Sequence, residues 1–260
     1  MTERLKGKVA VVTGCGSAGP GWGNGKAIAA LFAREGAAIM GCDIRLAAAE
    51  ETRSIIRGEG GACEVMAVDV SKSAEVKVLA DAAVAHFGRI DILVNNVGIV
   101  EVGGPVEYPE EKWRRDLDVN ITSMFLAAKH VLPHMERAGG GSIAGIRYTG
   151  VPYISYYTTK AAVSGFSRGV ALEYARRNIR SNVILPGLMN TPMIVEPLKG
   201  VYGAGDVDAM IEKRNAQCPT GSMGDAWDVA EAALYLASDA AKYVTATELV
   251  VDGGITAKFA

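Results

Sequence analysis

Cysteine is scarce and scattered. The four residues, Cys15, Cys42, Cys63 and Cys218, include no C-x-x-C pair, so the sequence predicts reduced thiols filling core space, not a disulfide framework or zinc knuckle. Histidine is scarcer still, with three residues. His130 and His134 share a helix face, but no H-E-x-x-H pattern contains them, and no metal site is expected. No block of basic residues occurs. With 27 Lys and Arg against 29 Asp and Glu the net charge is −2, which argues against nucleic acid or an anionic membrane as partner. Nowhere do about 18 apolar residues run together, the length a membrane span needs. The charged start, Met1 to Lys6, has no signal-peptide core, so a soluble cytoplasmic protein is expected.

Glycine is what the chain has in excess, 31 of 260 residues against a usual ~7 %. Seven of the twelve residues from Gly14 to Gly25 are Gly or Pro. An apolar run, Val9 to Val12, precedes them, and an alanine-rich helical pattern, Lys26 to Glu35, follows. Strand, glycine loop and helix in this order aim backbone N–H groups and the positive end of a helix at one spot, where a pyrophosphate fits. A second strand pattern ends in Asp43. A carboxylate there accepts hydrogen bonds from an adenosine ribose and repels a 2′-phosphate, so NAD is favoured over NADP. Arg45, two residues on, works in the opposite sense, and Asp43 also suits capping of the next helix. Glycine loops of this kind serve flavin and methyl-donor folds as well.

Strand patterns alternate with helix patterns along the whole chain. Strands are predicted at Lys8–Thr13, Ala37–Cys42, Cys63–Asp69, Ile90–Asn95, Ser142–Ile146, Ile179–Leu185 and Glu248–Val251. Helices are predicted at Gly25–Glu35, Ala47–Gly58, Ser73–Phe87, Pro109–Arg137, Tyr156–Arg177 and Trp227–Ser238. The repeat implies right-handed crossovers between parallel strands. The expectation is a single doubly wound Rossmann-like α/β domain over residues 1–260, with a mostly parallel seven-stranded sheet and helices on both faces. Leu188–Pro219 is the least regular stretch and reads as a lid, with a helix near Val207–Asn215.

Asp69-Val70 ends the third strand and Asn95-Asn96-Val97-Gly98 the fourth, where ligands of open α/β sheets bind. Tyr156 and Lys160, four apart, share a helix face. An ammonium beside a phenol favours the phenolate, which a free phenol with a pKa of about 10 reaches poorly. The spacing recurs by chance, however, and Tyr108 and Lys112 repeat it.

Taken together, these elements resemble the short-chain dehydrogenase/reductase family over nearly the whole chain. Thr13-Gly14 with Gly23-Asn24-Gly25 is similar to its cofactor loop. Asp43 resembles its NAD-selecting acid, Asp69-Val70 its adenine contact and Asn96 part of its Asn-Asn-Ala-Gly turn. Asn120, Tyr156 and Lys160 match its catalytic helix residues. Pro186 to Thr191 resembles the nicotinamide-side loop, placing Met189 and Thr191 near that ring. Val251 to Gly254 resembles the C-terminal signature. The resemblance implies an NAD-dependent oxidoreductase interconverting a secondary alcohol and a ketone. Tyr156 acts as acid/base, and Lys160 lowers its pKa and holds the nicotinamide ribose. Asn120 anchors a proton-relay water. A cytoplasmic homotetramer built through the long helices is implied as well. The alternatives are an NADPH-dependent 3-oxoacyl thioester reductase, a catalytically weak nucleotide-binding member, and a methyltransferase on a similar sheet, in which Lys160 has no role.

Two departures stand out. The glycine loop is longer than the family's, with Cys15 to Trp22 between its glycines, and the excess is expected to bulge over the phosphates or against a neighbouring loop. The region before Tyr156 is about six residues short. Counting back from Tyr156 puts Ser142 in the catalytic-serine place, whereas counting forward from Pro133 puts Tyr148 there. Ser142 is the expectation, which requires Arg137–Gly141 to supply strand. The apolar residues Met189, Met193, Ile194, Val195, Leu198, Tyr202 and Met210 suit an apolar or cyclic substrate, or packing among themselves.

Overall fold

The computed structural model describes residues 3–146, 154–195 and 206–258. Seven parallel strands form one sheet in the order β3-β2-β1-β4-β5-β6-β7. They are β1 (Val9–Thr13), β2 (Ala38–Asp43), β3 (Cys63–Ala67), β4 (Ile92–Asn95), β5 (Gly141–Ile146), β6 (Ile179–Pro186) and β7 (Glu248–Val251). The first three run outward in one direction and the rest in the other. The order therefore reverses between β1 and β4, and the crevice at their carboxyl ends is where such sheets take ligands.

Helices cover both faces. On one lie α1 (Asn24–Arg34) and α8 (Ala226–Ala237). On the other are α3 (Ser73–Phe87), α5 (Ser123–Ala138) and α6 (Ile154–Tyr174). The strand residues divide by the two-residue period of the pleat. Ala10, Val12, Ile92 and Val94 pack toward α1 and α8, and Val11 and Leu93 pack toward α3 and α5. Near-continuous apolar strands were the sequence signal for this double cover. The remaining helices are α2 (Leu46–Gly58), α4 (Glu110–Leu117) and α7 (Val207–Asn215).

The predicted helix Pro109–Arg137 is three pieces, α4, a π-helical turn at Asp118–Thr122, and α5. The turn carries Asn120, fully buried, and its wider winding sends that side chain sideways into the loop after β4.

The fifth strand corrects the expectation for Ser142. Helix α5 continues to Ala138, so Arg137 and Ala138 are helical and the strand begins only at Gly141. Its six residues pair with β6 throughout. Ser142 sits opposite Ile92, the first residue of β4, and its hydroxyl donates to the Leu236 carbonyl at 3.0 Å. Ile146 at the strand's carboxyl end is four residues further on, about 13 Å at ~3.3 Å per residue. Ser142 is therefore at the start of the strand, far from the carboxyl edge of the sheet. The other count ends on Tyr148, which lies outside the described residues.

Candidate active site

The carboxyl edge of the sheet opens into a cleft of about 400 Å³. Its floor is the glycine loop. Gly14 takes φ +65°, and an added Cβ would meet Asn96 Nδ2 at 2.9 Å. At Gly25, in the first turn of α1, a Cβ would lie 2.0 Å from the Gly14 carbonyl oxygen. Only glycine lets the helix start approach the loop this closely. Asn96 closes the turn by donating to the carbonyls of Thr13 and Gly14, at 3.3 and 3.0 Å. Gly23 and Asn24 complete the cradle. Ser17 Oγ and Asn24 Oδ1 line it, buried and without a hydrogen-bond partner. Buried polar atoms are rarely left in this state, so the site fits a polar ligand such as a pyrophosphate with its riboses.

Asp43 lies at one end. Its carboxylate accepts from the backbone N–H groups of Gly16 and Arg45, at 3.2 and 3.0 Å. Arg45 folds back onto the loop and donates to the carbonyls of Ser17 and Ala18. Asp69 and Val70 line the same end. The hydroxyl of Ser71 donates to Asp69 at 2.6 Å and, as the largest influence, holds its carboxyl below the usual range. The Asp69 side chain thus ties the start of the segment leading into α3 while bordering the cleft. Arg115 of α4 also borders it. Sequence reasoning missed Arg115, because one charge on a helix with Lys112 and Arg114 gives no signal of its own.

At the other end are Tyr156 and Lys160 of α6, with Met189 and Thr191 after β6. The Lys160 ammonium is 5.7 Å from the Tyr156 ring centroid and donates to the carbonyls of Ile146 and Val97, at 3.3 and 3.5 Å. Only 4 % of Lys160 is exposed, and burial alone pushes its pKa down from 10.5 to about 8. That is still above neutrality, so a cation faces the phenol. Asn120 stands behind this pair. Its amide bonds both backbone groups of Ile99, at 2.7 and 3.0 Å, and the Thr159 hydroxyl at 3.1 Å. Asn120 therefore props the wall of the cleft and is not among its lining residues. Ser142 is absent from the lining too.

A small apolar cluster packs around Tyr156. Tyr156 and Met210 form a buried pair, with Val100, Ile194, Val207 and Ile211 packed against it. Leu198 and Tyr202, also expected in the lid, lie outside the described residues. The inserted part of the glycine loop takes the second of its two predicted courses. Trp22 packs on Trp227 of α8 with ring centroids 4.7 Å apart, Lys26 donates to the Gly21 carbonyl at 3.3 Å, and Gly19 and Gly21 lie against Pro192. The bulge leans on the loop after β6 and leaves the cradle open.

The histidines and cysteines serve elsewhere. His130 shares a hydrogen bond with Ser73, and His134 with Arg137. All four thiols are buried, and desolvation pushes Cys42 and Cys63 up to about 12. No helix among the described residues is long and apolar enough to cross a membrane.

Known proteins resemble this chain over nearly its whole length. A family model described as Enoyl-(Acyl carrier protein) reductase matches residues 19–256. A 2,5-dichloro-2,5-cyclohexadiene-1,4-diol dehydrogenase of Sphingobium indicum is 38% identical over 98% of each chain. A solved structure from Burkholderia xenovorans is 47% identical and superposes with a TM-score of 0.93 over 99% of both chains. A 7 alpha-hydroxysteroid dehydrogenase, solved with NADH and 7-oxo glycochenodeoxycholic acid, is 35% identical with a TM-score of 0.85, covering 97% of this chain and 96% of its own. With its sheet order, its glycine cradle and these relatives spanning nearly the full length, the chain belongs to the short-chain dehydrogenase/reductase family, classical type.

Proposed function

We propose that this protein oxidises an uncharged alicyclic secondary alcohol to the ketone with NAD, using Tyr156 as the base. The coarser activity, NAD(P)-dependent interconversion at an alcohol carbon, rests on the family and its dehydrogenase members. The observation that carries the finer reading is the phenol of Tyr156, placed beside the Lys160 cation and packed among apolar side chains. A ring-shaped, uncharged alcohol suits those surroundings, and a charged thioester carrier does not. Two relatives act, by name, on a ring diol and a steroid.

A dinucleotide held by its pyrophosphate in the glycine cradle would supply the hydride acceptor at the Met189 and Thr191 end of the cleft. The chain's own residues do the rest. Lys160 lowers the free energy of the Tyr156 phenolate, which takes the hydroxyl proton. Met210 and Ile194 pack beside Tyr156, and low dielectric there would strengthen the effect of the cation. Asn120 and Ile99 keep the wall behind Lys160 in place.

For NAD over NADP, the support is the Asp43 carboxylate at the cleft and the Arg45 guanidinium already engaged by two loop carbonyls. A 2′-phosphate would meet the first and gain little from the second. The test is to titrate both dinucleotides, then assay cyclohexanol, a cyclohexene diol, a hydroxysteroid and a 3-oxoacyl thioester. Tighter NAD binding with turnover of a ring alcohol is expected. Preference for NADPH, or turnover of the thioester alone, would reverse the reading.

Exposed apolar side chains on α5 and α6, Phe125, Tyr157 and Leu172, support the further proposal that copies of the chain pair along these helices into a tetramer. Gly165 and Gly169 leave room there for close approach. Analytical ultracentrifugation should show a tetramer at micromolar concentration; a monomer would reject the proposal.

A further inference from the structure

Helix α4 is strongly charged, yet it buries one carboxylate. Asp116 is 1 % exposed, and burying a carboxylate is costly unless it is well bonded. Its Oδ2 accepts from the Tyr108 hydroxyl at 2.5 Å and from the Ser155 hydroxyl. Its Oδ1 accepts nothing. Among the described residues, no lysine or arginine is one of its partners. What offsets the charge is this pair of O–H donors and the adjoining positive end of α6, which begins at Ile154.

Ser155 is the residue before Tyr156. Its carbonyl accepts from the Thr159 hydroxyl at 2.9 Å, and that hydroxyl accepts in turn from Asn120. Asp116 and Asn120 are four residues apart, so they project from one side of the same helical run. Between them they hold the first turn of α6 from the side-chain end and the carbonyl end. The repeated Tyr–Lys spacing also finds its explanation here. Tyr108 is a donor to Asp116, while Lys112 turns away to Glu101. Burial, then the bond to Asp116, pushes the Tyr108 phenol up to about 12, so it stays a donor well into alkaline solution.

We propose that Asp116 is a positioning residue for Tyr156: through the Ser155 hydroxyl, with Tyr108 as second donor, it fixes the first turn of α6 and so the place of the phenol in the cleft. This rests on the reading of Tyr156 as the base. Displacement of a reacting group by about 1 Å costs up to ~100-fold in rate. Asp116→Ala and Ser155→Ala should each lower kcat about tenfold or more on the alcohol that the wild type oxidises. NADH affinity should stay within about twofold, and the double variant should be no worse than the poorer single one. Asp116→Asn keeps an oxygen that accepts both hydroxyls, and should recover activity to within about threefold.

Hydrogen exchange in the 154–163 segment provides a readout that needs no turnover, and it should quicken in both alanine variants. Unchanged kcat in both would overturn the proposal. So would kcat, NADH affinity and melting temperature falling together in the asparagine variant, which marks a merely structural carboxylate. If the wild type oxidises no alcohol, the functional reading fails by itself. Exchange then decides the clamp, and unchanged rates would overturn it.

Discussion

Tyr156→Phe should cut turnover by about 10²–10⁴-fold, the range for loss of a positioned acid or base, and leave NADH affinity nearly intact. The substitution removes one oxygen from a ring that is 8 % exposed and packed against Met210. The ring still fills its place, so α6 and the apolar cluster stay put. What disappears is the only group at that end of the cleft, among the described lining residues, placed beside a cation and able to accept the alcohol proton. Steady-state kinetics with the preferred alcohol, together with NADH fluorescence titration, provide the check. Wild-type turnover in the variant would remove Tyr156 from the mechanism. A joint collapse of binding and turnover would mean that the phenol supports the fold of the cleft.

Lys160→Met should abolish most activity, about a hundredfold or more, and at the same time make the folded protein more stable at neutral pH. The ammonium is buried, and its pKa falls from 10.5 to about 8 through desolvation. That shift corresponds to a cost on the order of 3 kcal/mol, partly offset by its bonds to the Ile146 and Val97 carbonyls, worth about 1 kcal/mol each. A net gain on the order of 1 kcal/mol is expected for Met. The sign with pH is specific. Below about pH 8 both folded and unfolded chains hold the proton, and the cost is fully present. Between about 8 and 10.5 the folded state has released it and the unfolded chain has not, so wild-type stability rises with pH relative to the variant. Urea unfolding at pH 7 and pH 10 tests this. A variant less stable than wild type at pH 7, or a gap that fails to narrow by pH 10, would contradict the burial account.

The two results share a cause. The site holds a charge where the fold alone would prefer an apolar group, which is a usual compromise at catalytic centres.

Much of this was legible in the residue order, and the misses have physical reasons. Every strand was found within two residues, because parallel strands covered on both faces must be apolar throughout. Gly14, Gly23, Asn24, Gly25, Asp43, Asp69, Val70, Asn96, Met189 and Thr191 all line the cleft with Tyr156 and Lys160, because their spacing from strand ends places them there. Asn120 was read as a site residue and stands one layer behind. Ser142 was misplaced because a deletion has no position of its own in a single sequence. Counting from either flank gives a different residue, and only pairing with Ile92 and Arg180 shows where β5 begins. Arg115, Asp116 and Tyr108 looked like a charged helix and a chance motif.

By itself, then, the sequence determined the doubly wound architecture, the glycine cradle and the Tyr–Lys pair. These depend on local periodicity, on glycine where a Cβ has no room, and on one-turn spacing. The tertiary structure alone decided which side chains turn inward from α4, where the inserted glycine loop leans, and which hydroxyls are far from the cleft. Those outcomes depend on contacts between segments tens of residues apart, and no local rule along the chain encodes them.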